Sequence, residues 1–214
     1  MTGLLGGSFN PAHRGHRQIS THAARVLGLP EIWWLVSPGN PLKEYSGMAP
    51  LPSRFASAKV AAGGLPIRVT AIERELGTRY TVDTLRALRR RFPERQFVWL
   101  MGADNLSQFH RWRDWRKIAA LVTIAVVTRP GYDSDARSAP AMGWLRRFVR
   151  PAAKARQWTK WRTPALVLLK LPPDPTSATG IRAADPDWHQ WTHQSFKPDA
   201  LRDGVTRRPL KPRR

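Results

Sequence analysis

The chain has 214 residues, with 36 Lys and Arg against 15 Asp and Glu, a formal charge of +21. That length suits one domain, since domains run ~100–200 residues, and 42% hydrophobic residues with 10 Trp supply a core, which excludes a disordered or collagen-like chain. The chain has no Cys, so disulfides and thiol chemistry are excluded, and its longest apolar runs, such as Leu121–Thr128 and Pro164–Leu169, fall well short of the ~20 residues that span a bilayer. After Met1 there is neither a basic region nor a long apolar one before a glycine pair, so a cytoplasmic location is expected. The charge points to an anionic partner without choosing among nucleic acid, acidic lipid and a phosphorylated small molecule.

Strand-like apolar runs alternate with helix-like stretches along the chain. Thr2–Leu5 is a strand that ends in Gly6-Gly7-Ser8. Ile19, Ala23, Val26 and Leu27 then fall on one helical face until Gly28-Leu29-Pro30 stops the helix. Glu31–Val36 is a second strand, Arg54–Leu65 a weaker helix, and Ile67–Ile72 an alternating strand. Thr81–Arg91 carries Val82, Leu85 and Leu88 at helical spacing, Gln96–Met101 is a buried strand, and Leu106–Leu121 is partly helical. Thr123–Thr128, closed by Arg129-Pro130-Gly131, and Ala165–Leu171 complete the strands. Strands separated by ten or more residues containing helices are not hairpins. They predict βαβ crossovers: a Rossmann-like, doubly wound, mostly parallel α/β sheet with helices on both faces. The expected domain spans residues 1–182, with a C-terminal extension over 183–214. Within the domain, Asp133–Arg162 holds eight basic residues against Asp133 and Asp135, with Trp144, Trp158 and Trp161 interleaved, and is expected to be a helical insertion. The basic tail Arg207–Arg214 is expected to be disordered.

The chemistry is concentrated where the first strand ends. In Gly6-Gly7-Ser8-Phe9-Asn10-Pro11-Ala12-His13-Arg14-Gly15-His16, glycines at a strand's carboxyl end let backbone N–H groups approach a ligand, and the following helix offers its positive N-terminus to an anion. His13 and His16, three apart, face one side of the first turn, where each can donate a hydrogen bond to a phosphate oxygen. Gly15 between them leaves room for a nucleotide.

GGSFNPAHRGH resembles the G-G-S/T-F-D/N-P-x-H-x-G-H signature of the nucleotidylyltransferase superfamily, specifically that of the bacterial nicotinate-nucleotide adenylyltransferases. Further segments match in order: Ser37–Lys43 (SPGNPLK), Tyr80–Leu85 (YTVDTL), Gly102–Trp112 (GADNLSQFHRW) and Ser177–Arg182 (SATGIR). The resemblance covers residues 3 to 182 and implies that nicotinate mononucleotide and ATP condense to the dinucleotide and pyrophosphate by direct in-line attack. No covalent enzyme intermediate is involved. It implies that His13, His16 and Arg182 act on the phosphates, and that Gly6, Gly7, Ser8, Phe9, Lys43, Gly102, Asp104, Ser177 and Thr179 bind the nucleotide, with Asp104 on the ATP ribose. Thr81, Trp112 and Arg113 would hold the nicotinate mononucleotide, Trp112 by stacking on its ring. Mg²⁺ would be bound mainly through the ATP phosphates, with few or no protein ligands. Monomer and homo-oligomer are both open.

The resemblance is not complete. Ala178 stands where many relatives have Ser, and the stretch after Arg182 lacks the usual short terminal helix. A pantetheine-phosphate adenylyltransferase would lack YTVDTL and GADNLSQFHRW, while a preference for the amide of the mononucleotide is harder to separate. A nucleic-acid-binding protein would use Asp133–Arg162, but that reading leaves the His pair after the glycine loop unexplained, so nucleic acid is not expected as a specific partner. His22 and His110 are expected outside the chemistry. His189 and His193 lack a third ligand, so a bland terminal helix is expected there. Asp83 is balanced between a structural acceptor and a ligand contact, and Trp33, Trp34 and Trp99 are expected in the core.

Overall fold

The computed structural model describes residues 1–39, 47–128, 137–171, 178–190 and 201–210. Seven parallel strands form one sheet: β1 (Thr2–Gly7), β2 (Glu31–Val36), β3 (Ile67–Thr70), β4 (Phe97–Gly102), β5 (Thr123–Thr128), β6 (Val149–Arg150) and β7 (Leu166–Lys170), in the order β3-β2-β1-β4-β5-β7-β6. The helices are α1 (Arg14–Leu27), α2 (Leu51–Ala62), α3 (Ile72–Leu76), α4 (Thr81–Arg91), α5 (Ala103–Gln108), α6 (Trp115–Leu121), α7 (Met142–Leu145) and α8 (Ala178–Ala184). The expected doubly wound architecture is present.

A sheet covered on both faces needs apolar residues at every strand position, because successive side chains point to opposite sides. The strands divide accordingly. Leu5, Trp34, Val98, Leu100, Ala125 and Val127 belong to one core, with Ala23 and Leu27 of α1 and Phe55 of α2. Leu4, Trp33, Leu35, Trp99, Met101, Ile124 and Val126 belong to the other, with Val82, Leu85 and Leu88 of α4 and Ile118 of α6. Neighbours in sequence such as Trp33 and Trp34 therefore sit in different cores, and both are buried as expected. The Trp34 indole donates to the buried Ser20 Oγ on α1 at 2.8 Å.

Several boundaries differ from the sequence expectation. The third strand ends at Thr70 rather than Ile72, because Thr70 Oγ1 accepts the N–H of Ile72 at 3.1 Å and starts the short helix α3, which the alternation of IRVTAI conceals. The second helix begins three residues early, at Leu51, with a proline in its first turn, and ends at Ala62 before Gly63-Gly64. Leu106–Leu121 is divided between α5, a 3₁₀ turn (Phe109–Arg111) and α6, with Asp114 in the left-handed conformation at the start of α6.

The described part of the basic segment adds short helical turns and one edge strand to the sheet. It contains the single-turn α7, the edge strand β6 and a 3₁₀ helix (Ala152–Lys160) whose Ala155 and Trp158 are buried in the α1-side core, where the Trp158 indole donates to the Leu27 carbonyl at 3.2 Å. The described part of the tail is likewise packed. Arg202 and Pro209 form an antiparallel bridge, Leu201 and Leu210 are buried, and Gly204 N–H donates to the Val69 carbonyl at 2.8 Å. The buried Asp203 accepts from Thr70 Oγ1 (2.9 Å) and Ala71 N (2.7 Å) through one carboxylate oxygen and from Val205 N and Thr206 N (both 2.9 Å) through the other. The C-terminal segment thus covers the edge of β3. Residues 211–214 lie outside the described residues.

Candidate active site

In a doubly wound sheet, connections leave in opposite directions at one point, and a crevice opens there beyond the carboxyl ends of the strands. Here that point lies between β1 and β4. A cleft of about 680 Å³ occupies it, lined by Gly6, Gly7, Ser8, Phe9, Asn10, His13 and His16 from β1 and α1, by Gly102 and Asp104 after β4, and by Thr81, Trp112, Arg113 and Thr179. Glycine is required at position 6 for steric reasons, because a Cβ there would lie 2.6 Å from the buried Trp99 ring.

The two histidines are arranged by a capping box. His13 is the N-cap of α1, in extended conformation, rather than a member of its first turn as its spacing had suggested. Its Nδ1 accepts the N–H of Gly15 at 3.1 Å, and His16 Nδ1 accepts the N–H of His13 at 3.2 Å. A ring nitrogen that accepts is unprotonated, so this geometry assigns the neutral Nε2–H tautomer to both. The rings lie 4.0 Å apart between centroids, and His16 also packs on Phe9 at 4.7 Å. Two imidazole donors are thus held beside the positive end of a 14-residue helix.

Also in the cleft wall, Trp112 meets Trp99 edge-on at 6.0 Å and Phe109 at 5.4 Å, and the Arg113 guanidinium lies 4.7 Å from the Tyr80 ring centroid. Trp99 belongs to the core as expected and also lines the cleft. Arg182 approaches from α8: its guanidinium donates to the Asn10 carbonyl at 2.6 Å and to Thr179 Oγ1 at 3.3 Å, tying the start of that helix to the loop after β1. Lys43, Ser177 and His193 lie outside the described residues.

Some residues of the site were not singled out by the sequence reading. Arg54 of α2, 1% exposed, donates to the carbonyls of Ala49 (2.8 Å), Ser8 (2.7 Å), Ser37 (2.7 Å) and Pro38 (3.4 Å), and burial pulls its guanidinium down to about 10. Asn10 accepts from Ala49 N at 3.1 Å and donates to the Gly47 carbonyl at 3.0 Å, closing the same turn. Ser37, Glu73, Arg79 and Arg111 line the cleft. Residue type alone gave no signal for Arg54, one arginine among many. Arg79 and Arg111 did offer one, since Arg79 adjoins the YTVDTL segment and Arg111 lies within GADNLSQFHRW.

Glu73 lies 3.1 Å from Thr84 Oγ1, and its burial pushes the carboxyl from 4.5 up to about 7, against the opposing hydrogen bonds from Thr84 and Ser37. Between those two pH values the folded chain holds a proton that the unfolded chain has lost. Stability therefore falls as pH rises through that window and levels off above it. Glu73→Gln, which stays neutral, is expected to gain urea-unfolding stability over the parent between about pH 5 and about pH 8. A parent–variant difference that is the same at both pH values contradicts this.

Asp83 pairs with Arg86 at 3.3 Å on the partly exposed side of α4, and His22 lies 3.3 Å from Arg25; neither lines the cleft, nor does His110. Burial and the Arg25 charge both lower the His22 pKa. Among the described residues no group of three or more His, Asp or Glu is placed to hold a metal ion.

The chain is similar to known proteins in sequence and in fold. A cytidylyltransferase-like family model matches residues 4–184. A protein of Erythrobacter litoralis named probable nicotinate-nucleotide adenylyltransferase is 59% identical over 209 residues, covering 98% of this chain and 94% of its own. One of the same name from Parvibaculum lavamentivorans is 52% identical over 180 residues, covering 84% and 90%. In structure, the chain is similar in fold to the Plasmodium falciparum nicotinic acid mononucleotide adenylyltransferase complexed with NaAD, with a TM-score of 0.64 at 16% identity over 85% of this chain and 82% of that one.

Proposed function

This chain belongs to the nicotinate-nucleotide adenylyltransferase family, and we propose that it joins nicotinate mononucleotide to ATP, giving nicotinate adenine dinucleotide and pyrophosphate, a step of NAD biosynthesis. The observation that carries this reading is the capped His13–His16 pair lining a cleft at the sheet's switch point together with Tyr80, Trp112 and Arg113.

In the proposed reaction, an oxygen of the mononucleotide 5′-phosphate attacks the α-phosphorus of ATP. The bond from that phosphorus to the bridging oxygen breaks, and pyrophosphate departs with the electron pair. Phosphoryl-type transfer needs positioning and charge neutralisation more than a protein nucleophile. His13 and His16 donate through Nε2–H to the phosphate oxygens on which charge develops, and the first N–H groups of α1 add their partial charge. Gly6, Gly7, Ser8, Phe9 and Gly102 let the nucleotide lie against the backbone, and Asp104 accepts from the ribose hydroxyls. Arg182 exchanges the Asn10 carbonyl for triphosphate oxygens, with Thr179 beside it. Mg²⁺ enters as part of the MgATP substrate. Trp112 stacks on the pyridine ring, Thr81 donates to the nicotinate carboxylate, and Arg113 with its neighbour Tyr80 borders that ring. A cytoplasmic location is part of this proposal. No helix among the described residues is long and apolar enough to cross a membrane.

Purified protein given MgATP and nicotinate mononucleotide is expected to release pyrophosphate and to turn over the amide much more slowly. Equal or faster use of the amide overturns the acid assignment, and no pyrophosphate with either acceptor overturns the reading as a whole.

A further inference from the structure

A guanidinium 1% exposed that meets only carbonyl oxygens is an expensive thing to build, because desolvating a charge costs several kcal/mol unless something opposite compensates it. Arg54 is in that situation. It holds the carbonyls of Ser8, Ser37, Ala49 and Pro38, and no carboxylate among the described residues lies within ion-pair distance of it. Its position suggests what the cost supports. Ser8 belongs to the turn after β1 and Ser37 to the turn after β2, and both line the cleft, whereas Arg54 does not. The two carbonyls therefore end on the guanidinium behind the cleft wall, so their negative ends are drawn away from the space an anion would occupy. The same guanidinium joins two turns 29 residues apart (8 and 37) to the start of α2. Its charge stands one peptide group behind the loop that carries the capped histidines.

We propose that Arg54 is a positioning residue for the phosphate chemistry. It pins the turns after β1 and β2 together and keeps a positive charge, paired with no carboxylate among the described residues, beneath the loop from Ser8 to His16, so that the loop receives the polyphosphate of the nucleotide. This rests on the proposed transferase reading for its substrate. The two contributions separate by substitution. Arg54→Lys keeps the charge but lacks the planar fork that reaches four carbonyls, and Arg54→Gln keeps an amide donor without the charge.

The test measures binding of inorganic pyrophosphate by calorimetry, steady-state kcat and KM for ATP, and thermal unfolding, on the full chain and both variants. Arg54→Gln is expected to bind pyrophosphate at least ~10-fold more weakly, the scale of one nearby charge at intermediate dielectric. Arg54→Lys is expected to bind within ~3-fold of the parent but to lose ~10-fold in kcat, because the turns are no longer held in register. Pyrophosphate affinity unchanged in Arg54→Gln overturns the proposal, whatever happens to its unfolding temperature, since a purely structural arginine would lower only the latter. Parental kcat in Arg54→Lys overturns it too, and that result stands even where the Gln variant does not fold. If the parent fails to turn over nicotinate mononucleotide, the functional reading fails, while the pyrophosphate comparison still decides the role of Arg54.

Discussion

His16→Ala is expected to lower kcat at least ~10²-fold while the protein stays folded, the scale for losing one preorganised donor to a transition state. The His16 ring is set by the His13 N–H at 3.2 Å, by the His13 ring at 4.0 Å and by Phe9 at 4.7 Å, so its donor needs no reordering when substrate arrives. Alanine also removes the half of the capping box that accepts the His13 N–H, which lowers stability modestly. Thermal unfolding therefore accompanies the kinetics: a modest fall in unfolding temperature with a large fall in kcat supports the assignment. An effect below tenfold on kcat places His16 outside the chemistry.

Arg182→Ala is expected to lower kcat/KM for ATP by ~10²-fold, because charge-assisted hydrogen bonds to phosphate are worth ~1.5–3 kcal/mol and a guanidinium makes more than one. Arg182 is poised for this role, since it already reaches the loop after β1 through the Asn10 carbonyl at 2.6 Å and spans back to Thr179 at 3.3 Å. Arg182→Lys should recover only part of the loss, because a lysine ammonium is a point charge without the planar fork. Full recovery by Lys reduces Arg182 to a source of field, and an unaffected Arg182→Ala removes it from the site.

The strands were legible because they are buried on both faces. Runs such as EIWWLV and QFVWLM have few polar positions to blur them, and the intervening lengths demand crossovers. α3 was not legible, because IRVTAI continues to alternate past Thr70, and the Thr70 hydroxyl that accepts the Ile72 N–H is itself held by Asp203, 133 residues away. The packed tail escaped for a related reason. Leu201, Asp203 and Leu210 are scattered among charges, and they find partners only in the folded chain, in the α1-side core and at the end of β3. The basic segment read as an appendage because its charges are interleaved with its apolar residues and leave no clean period, yet Ala155 and Trp158 are buried in the α1-side core and Trp158 bonds the Leu27 carbonyl.

The charge divides in the same manner. Of the 36 basic residues, Arg54 and Arg182 have structures tied to the loop after β1, and Arg79, Arg111 and Arg113 border the cleft. Composition weights every arginine equally, while burial and hydrogen bonding distinguish them.

What the sequence by itself determined was the pattern of the long strands and the glycine loop with its two histidines from Gly6 to His16, since strand patterning and a glycine turn are made by residues close along the chain. Only the tertiary structure decided which arginine lies beneath that loop, which acid lines the cleft with a raised pKa, and what the C-terminal segment holds. Each of those depends on partners brought together from distant positions, as Arg54 and Ser8 are across 46 residues, and burial, which sets their energies, exists only once the sheet has closed over them.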